Sequence, residues 1–181
     1  MTRYVALLRG INVGGHRKVP MAELRTVLEG LGYGEVRTYL QSGNAVFDAP
    51  GPNAAAVREE TEAAIAARFG FPVDCLVLTA PGLHGTAARC PFPAAGLDPA
   101  KVLVLFAGEE LDAARLAAID PAAHAPDVFE TGEREVFCWF PDGMGRSRLP
   151  DAVTSALRGT VLTGRNWRTV TRLRELAAPA T

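Results

Sequence analysis

The sequence predicts an α+β protein made of two tandem ferredoxin-like subdomains packed together, each with the element order β-α-β-β-α-β, and a C-terminal helix. Two unbroken apolar strands, at 2–9 and 101–106, each open the same succession of helical and extended patterns. The run 80–99 between the halves is rich in proline and glycine, as linkers are. Because neither apolar strand alternates with polar residues, both faces of each sheet should be covered, most simply by packing the two halves together.

The first half shows helix boundaries as well as strand patterns. Pro20 suits the first turn of one helix and Gly32 its end. Asn53 is a candidate N-cap for a second helix, and Gly70 ends its apolar stripe. The predicted strands lie at 2–9, 35–40, 44–48 and 73–79, and the predicted helices at 21–31 and 57–69.

The second half repeats this order without detectable sequence identity to the first. Pro150 near its start and Gly159 at its end delimit one helix. Trp167 falls on the apolar side of the last helix. The predicted strands lie at 101–106, 128–131, 135–140 and 160–163, and the predicted helices at 109–119, 150–158 and 166–178.

The chain has 181 residues, enough for one large domain or two small ones. We predict an N-terminal subdomain at 1–80, a short helix and linker at 81–99, and a C-terminal subdomain with the final helix at 100–181. No apolar run approaches the roughly 20 residues that cross a bilayer, and the apolar start is too short for a signal peptide. We therefore expect a cytoplasmic protein.

The three cysteines and three histidines lack the spacing of a metal site or a redox pair. Cys75 and Cys138 fall in predicted strands, where a thiol behaves as a small apolar side chain. Cys90 lies in a proline-rich turn and should be exposed. We predict no metal and no cofactor.

Charge is unevenly distributed along a chain whose net charge is only −1. Residues 108–135 hold eight acids and two bases, a net charge of −6. Residues 143–181 hold seven arginines and two acids, a net charge of +5, and residues 1–41 hold six bases and three acids, a net charge of +3. Two basic ends around an acidic middle are compatible with an anion-binding face and equally with a solvated surface.

Polar, glycine-rich segments adjoin three predicted elements. The first strand runs into the loop 10–15 (GINVGG), and the third is preceded by 41–44 (QSGN). In a ferredoxin-like sheet these two strands are antiparallel neighbours, so the two segments should lie side by side. A third segment, 163–169 (TGRNWRT), opens the last helix. The candidate ligand-binding residues are Arg9, Asn12, Gly14, Gly15, His16, Lys18, Ser42, Asn44, Arg165 and Asn166.

These residue types favour recognition of a small anion. The loop glycines leave backbone N–H groups accessible, and Arg9 offers a planar fork of donors. The spacing G-x-x-x-G-G is neither a dinucleotide fingerprint nor a Walker loop. His16 is the one plausible general base, and Ser42 has no recognisable base partner. Catalytic residues are therefore unknown, and whether the protein is an enzyme stays open.

The same residues also have purely structural interpretations. The glycines can simply form a turn, Asn44 can cap a hairpin, and Arg9 can pair with a helix carboxylate. Asn166 can cap the last helix, whose Trp167 belongs to the core more often than to a stacking platform. Three arginines should then face outward as a solvated basic surface, namely Arg165, Arg168 and Arg172.

Taken together, the segments resemble a bacterial family known as domain of unknown function number 1697. Its pattern looks like Y-V-A-L-L-R-G-I-N-V-G-G, K-V-P-M-x-x-L, S-G-N-V-V-F and T-x-R-N-W-x-T-V, with matches here at 4–15, 18–24, 42–47 and 163–170. Ala45 replaces the usual valine, and Arg17 and Arg168 stand where asparagine is common. The resemblance implies a tandem ferredoxin-like fold, but no established activity, cofactor or catalytic residue.

Three functions follow as alternatives. The first is binding, and possible turnover, of a small phosphorylated or carboxylated ligand at the loops after strand one and before strand three. The second is a nucleic-acid-binding module, which requires exposed aromatic residues on a sheet face and a basic groove. The third is a protein-interaction module that uses the acidic segment 108–135 and an exposed apolar patch. We expect no membrane partner, and a monomer or a weak homodimer.

Overall fold

Two four-stranded antiparallel sheets and six α-helices form this α+β protein, seen in a computed structural model that describes residues 1–92 and 96–179. The strands are β1 (Thr2–Leu8), β2 (Gly34–Tyr39), β3 (Asn44–Ala49), β4 (Cys75–Thr79), β5 (Val102–Ala107), β6 (Val128–Thr131), β7 (Glu135–Trp139) and β8 (Leu162–Asn166). The helices are α1 (Met21–Gly30), α2 (Ala54–Phe69), α3 (Ala80–Arg89), α4 (Ala113–Ala117), α5 (Leu149–Ala156) and α6 (Trp167–Ala177). Residues 93–95 of the predicted linker lie outside the described ranges. None of the described helices combines the length and the apolar content that crossing a bilayer demands.

Each of two compact units contains one sheet. The first unit comprises Met1–His84 and the C-terminal segment from Arg172, and the second comprises Gly85–Thr171. The division therefore falls within α3, and the end of α6 belongs with the first unit, whereas the sequence predicts that the whole final helix belongs with the second half. A hydrogen bond at 3.3 Å from Arg3 Nη1 to the carbonyl oxygen of Ala178 ties the end of the chain to β1.

In the first unit the sheet order is β2-β3-β1-β4, with antiparallel neighbours throughout. One face carries α1 and α2, whose apolar residues join those of the strands in one buried cluster. Tyr33 and Phe47 stack within it, with 4.9 Å between ring centroids and 8° between ring planes. Val5, Leu7 and Val46, which alternate to the other face, are buried as well. Both faces are thus covered, as the unbroken apolar pattern predicts.

Local capping fixes the ends of α2. Asn53 has an extended backbone, and its side-chain oxygen accepts hydrogen bonds from the N–H groups of Ala55 at 3.1 Å and Ala56 at 3.2 Å. At the other end Gly70 adopts φ 80°, a left-handed conformation that suits glycine. The N-cap and the stop signal read from the sequence are both confirmed.

The second unit has the sheet order β6-β7-β5-β8, again with antiparallel neighbours. One buried cluster joins its strands to α4 and α5, with Phe140, Leu149 and Val153 at 0% exposure. Both sheets therefore repeat one pattern: the first strand of the unit lies between its third and fourth strands, and the second strand lies at an edge.

Two elements of the second unit differ from their predictions. The helix expected at 109–119 is only five residues long, because Asp112 caps α4 and Asp120 caps a separate 3₁₀ turn at Pro121–His124. The strand expected at 160–163 instead runs from Leu162 to Asn166. Pairing with β5 produces this extension, with Val104 opposite Arg165, even though the sequence there has little intrinsic strand preference.

A buried carboxylate holds the start of β7. Glu135 is 2% exposed and accepts from Arg89 Nε at 3.0 Å, from Arg89 Nη2, and from the N–H of Arg134 at 3.0 Å. A Cβ on Gly132 would approach Glu135 Cγ to 2.8 Å, so glycine leaves the room that this carboxylate needs. The pairing satisfies a charge that would otherwise be costly to bury.

Cys90 is buried at 8% exposure, so the prediction that it is exposed was wrong. It directly follows α3, and its N–H donates to the carbonyl oxygen of Ala87 at 3.4 Å. The residue therefore completes the last helical turn before the proline-rich segment begins.

Candidate functional site

The two glycine-rich segments of the first unit lie side by side. Strands β1 and β3 are antiparallel, with Leu7 opposite Asn44. The N–H of Leu8 donates to the carbonyl oxygen of Gly43 at 2.8 Å, which extends the pairing into the loop. The end of β1 and the start of β3 therefore form one edge of the sheet, as the predicted topology requires.

A two-residue turn projects from the loop after β1. Gly14 and Gly15 have φ 61° and 79°, positive values at both central positions that are typical of a type I′ turn. Val13 and His16 form an isolated β-bridge across it, and the N–H of His16 donates to Val13 at 3.2 Å. The side chains of Val13 and His16 are exposed.

Asn12 ties this loop to its neighbours. Its Nδ2 donates to the carbonyl oxygens of Val19 at 3.0 Å and Gln41 at 2.7 Å, and its Oδ1 accepts from the N–H of Val19 at 2.9 Å. The backbone of Asn12 is left-handed at φ 56°, a conformation that asparagine adopts more readily than most residues. Through these three hydrogen bonds the side chain holds the two loops together.

Asn44 and Ser42 shape the second segment. The buried Asn44 donates from Nδ2 to the carbonyl oxygen of Tyr39 at 2.7 Å and to Ser42 Oγ at 3.1 Å. These bonds close the turn that leads into β3, which is the structural role weighed for Asn44 in the sequence.

Arg9 pairs with a carboxylate. Its Nη1 lies 3.1 Å from Asp74 Oδ2, and both side chains are about half exposed, at 47% and 52%. Backbone pairing supports the contact, since the N–H of Arg9 donates to the carbonyl oxygen of Asp74 at 2.9 Å. The acid lies in the loop before β4 and not on a helix.

A concave site of about 400 Å³ opens between the two segments. Two of its residues, Pro20 and Gln41, are absent from the candidates read from the sequence. Gln41 could have been found, since it directly precedes Ser42 in the hairpin signal. The lining consists of Asn12, Gly15, Lys18, Pro20 and Gln41.

Three hydrogen-bond donors of this concavity are not used by the fold. Lys18 is exposed and forms no ion pair with any residue that the structure describes. Within the same described ranges, the N–H of Gly15 and the side-chain amide of Gln41 have no hydrogen-bond partner. None of the lining residues is acidic.

Arg165 and Asn166 belong to the second unit. Arg165 is 6% exposed, so the prediction that it faces outward was wrong; Arg168 and Arg172 are exposed, as predicted. Arg165 Nη1 donates to Thr163 Oγ1 and to the carbonyl oxygen of Gly164, both at 2.8 Å, and burial lowers the pKa of its guanidinium to about 10. It is buried because β8 extends through it in the sheet.

The cap and core interpretations of the third segment are confirmed. Asn166 Oδ1 accepts from the N–H of Thr169 at 2.9 Å, so it caps α6. Trp167 is 7% exposed and belongs to the core.

The thiols do not have the character of nucleophiles. All three cysteines are buried, and burial raises the pKa of Cys75 and of Cys138 to about 12 and raises the pKa of Cys90. A reactive cysteine requires the opposite shift. Among the described residues, no three of His, Cys, Asp and Glu converge as a metal site requires.

Comparisons with known proteins place the chain in a family. The family described as "Protein of unknown function (DUF1697)" matches residues 1–137. The solved structure of the conserved bacterial protein SP0830 from Streptococcus pneumoniae is similar, with 27% identity and a TM-score of 0.74, over 98% of this chain and 99% of that one. Among curated proteins, none matches the chain. Neither description assigns an activity. Since the match covers well over half of the sequence, the chain belongs to the DUF1697 family, the one that its motifs resemble.

Proposed function

We propose that the concavity between the loops after β1 and before β3 binds a small anionic ligand bearing a phosphate or carboxylate group. The observation that carries this proposal is the donor character of the lining. Once the fold's own hydrogen bonds are assigned, three donors of the lining have no partner among the described residues: the Lys18 ammonium, the Gly15 N–H and the Gln41 side-chain amide.

Ammonium and backbone N–H groups are a common donor set for anions in proteins. The volume of about 400 Å³ lies within the range of small-molecule pockets. We therefore expect a small-molecule ligand. Asn12 supports binding indirectly, because its three hydrogen bonds hold the walls in place. The exposed His16 adjoins Gly15 and is our candidate acid or base if the ligand is turned over.

Of the sequence-derived candidates, Gly15 and Lys18 are direct ligand donors in this proposal. Asn12, Ser42 and Asn44 act as positioning residues, since their side chains bond to the two loops. Arg9 would have to leave Asp74 to take part. Gly14 contributes to the site by forming the turn that positions Gly15.

The alternative of nucleic-acid binding receives less support. It requires aromatic side chains exposed on a sheet face for base stacking. Four phenylalanines that lie in strands or directly after one are each at most 2% exposed: Phe47, Phe106, Phe137 and Phe140.

The interaction-module alternative also lacks an apolar patch in the acidic segment. Within 108–135, a segment that the structure describes in full, Val128 is the one large apolar residue that is exposed, at 38%. Single exposed apolar residues are ordinary on protein surfaces.

We further infer that both units are ferredoxin-like subdomains in tandem. The element order β-α-β-β-α-β and the repeated strand order, β2-β3-β1-β4 and β6-β7-β5-β8, support this assignment. We also expect the protein to be bacterial and cytoplasmic, and to be a monomer or a weak homodimer.

The test is thermal stability of the purified chain against inorganic phosphate, nucleotides, sugar phosphates, simple carboxylates, and RNA and DNA oligonucleotides. A ligand at 100 times its Kd should add about 2.7 kcal/mol to the stability. Lys18→Gln should abolish most of the shift. Arg37→Gln removes an equal charge from the same unit, where the exposed Arg37 forms an ion pair with Glu35, and should leave the shift intact.

Two outcomes would overturn the proposal. A shift that survives Lys18→Gln would place the anion elsewhere. A response only to oligonucleotides that weakens with salt would favour the nucleic-acid alternative.

A further inference from the structure

A second concavity, of about 580 Å³, lies in the second unit and is independent of the anion site. Strands β6 and β7 are antiparallel, with Val128 opposite Trp139. The residues before β6 and those after β7 therefore meet at one end of the sheet. The lining consists of Ala125, Pro126, Asp127, Asp142, Gly143, Gly145, Arg146 and Ser147.

Backbone hydrogen bonds build both walls. The N–H of Asp127 donates to His124 at 2.9 Å, the N–H of Gly143 to Phe140 at 3.0 Å, and the N–H of Ser147 to Met144 at 3.1 Å. Gly143 has φ 92°, which favours glycine. The turns are thus held by main-chain groups, and the charged side chains are not needed to close them.

Three charged side chains line this space without partners in the fold. Asp127, Asp142 and Arg146 form no ion pair and no side-chain hydrogen bond with any residue in the ranges 1–92 and 96–179. Some charges elsewhere in the same unit are paired, as in Arg115 with Asp112 at 3.1 Å, whereas charges of both signs border this one cavity. Opposite charges around one cavity, left unpaired, are available to a ligand.

We propose that this concavity binds a small basic amino acid, or a zwitterion of the same charge pattern. Two carboxylates and one guanidinium are complementary to a ligand with two cationic groups and one carboxylate. Arg146 offers the planar donor fork that suits a carboxylate, and Asp127 and Asp142 offer acceptors for two ammonium groups. Ala125 and Pro126 provide apolar surface for an aliphatic stem, and the volume is that of a small-molecule site.

The experiment is calorimetric titration of the full chain with three ligands that differ by one group. L-lysine carries both cations and the carboxylate, norleucine lacks the side-chain ammonium, and cadaverine lacks the carboxylate. We expect lysine to bind about tenfold or more tightly than either, since each lost group removes a charge-assisted hydrogen bond.

Three variants test which side chain of the cavity contacts which group of the ligand. Arg146→Gln should remove the preference for lysine over cadaverine, and Asp142→Asn should reduce the preference for lysine over norleucine. Glu130→Gln takes an equal charge from exposed β6, outside the cavity lining, and should change neither preference. Because Arg146, Asp142 and Glu130 form no ion pair with any residue that the structure describes, all three variants should have melting temperatures close to that of the wild type, which would show that they are folded.

Absence of lysine binding up to about 10 mM, a concentration that corresponds to a very weak site, would overturn the proposal. Equal binding of lysine by the wild type and both cavity variants would overturn it too. Neither result bears on the anion site of the first unit, whose test uses other ligands and Lys18.

Discussion

At the scale of single residues, Gly43 shows how closely the loops of the candidate site pack. Its φ is 82°, and a Cβ there would lie 2.6 Å from Ile11 Cδ1 and 2.8 Å from Leu8 Cβ. Gly10 has a similar φ of 64°, but a Cβ on it would meet nothing within 4 Å. Alanine variants at the two positions can therefore distinguish the cost of a left-handed backbone from the cost of steric overlap.

Gly43→Ala should destabilise the protein by about 2–4 kcal/mol, combining a left-handed alanine with overpacking. Gly10→Ala should cost only about 1 kcal/mol, the conformational part alone. Urea unfolding of both variants measures the difference. Equal losses would mean that the neighbours of Gly43 relax freely, contrary to the tight packing between the loops.

At the scale of elements, a cross-strand ion pair joins β1 to β3. Arg3 Nε and Nη2 donate to Asp48 Oδ1 and Oδ2, both at 2.8 Å, and the two residues are opposite each other in the sheet. These hydrogen bonds lower the pKa of Asp48 below its ordinary value of 3.8. Both side chains are about one fifth exposed, so the pair is partly shielded from solvent.

Asp48→Asn should lower stability by about 1–2 kcal/mol at pH 7, because the charge-assisted bonds to Arg3 are weakened. The folded pKa lies below the unfolded one, so the ionised pair contributes fully above pH 3.8 and loses its contribution as pH falls through the folded value. Urea unfolding of wild type and variant from pH 7 downward should show the gap closing in acid. A gap that stays constant would contradict the assignment of the shift to this pair.

At the scale of the whole molecule, both units contain buried cysteines, so the reactivity of the thiols tests whether each unit is folded. Cys75 lies in the first unit, Cys90 and Cys138 lie in the second, and all three are buried. Burial raises the pKa of Cys75 and of Cys138 to about 12. The reactive thiolate is therefore scarce in the folded protein.

Alkylation by iodoacetamide at about pH 8.5, near the pKa of a free thiol, should be slow for all three cysteines in the folded chain. In urea all three should react rapidly. Mass spectrometry of the modified sites gives the result for each unit separately. Fast modification of one cysteine without urea would show local opening of its unit.

Much of the fold follows from signals that are local in the sequence. The apolar runs of β1 and β5, the cap at Asn53 and the stop at Gly70 each act through neighbouring residues, and all are found as predicted. The juxtaposition of the loops 10–15 and 41–44 also follows, because antiparallel pairing of the first and third strands dictates it.

Tertiary structure alone decided the roles of those polar residues whose partners are distant in the sequence. Asn12 bonds across the chain to Gln41, Arg9 pairs with Asp74, and Arg165 is buried because β8 pairs with β5. Partners this far apart in sequence leave no periodic or motif signal, so the sequence predicted candidate segments but not which of their side chains remain unpaired in the fold. The sequence by itself determined the elements and their order, since propensity and capping are local; the donor-lined concavity depends on contacts that exist only once the strands have paired.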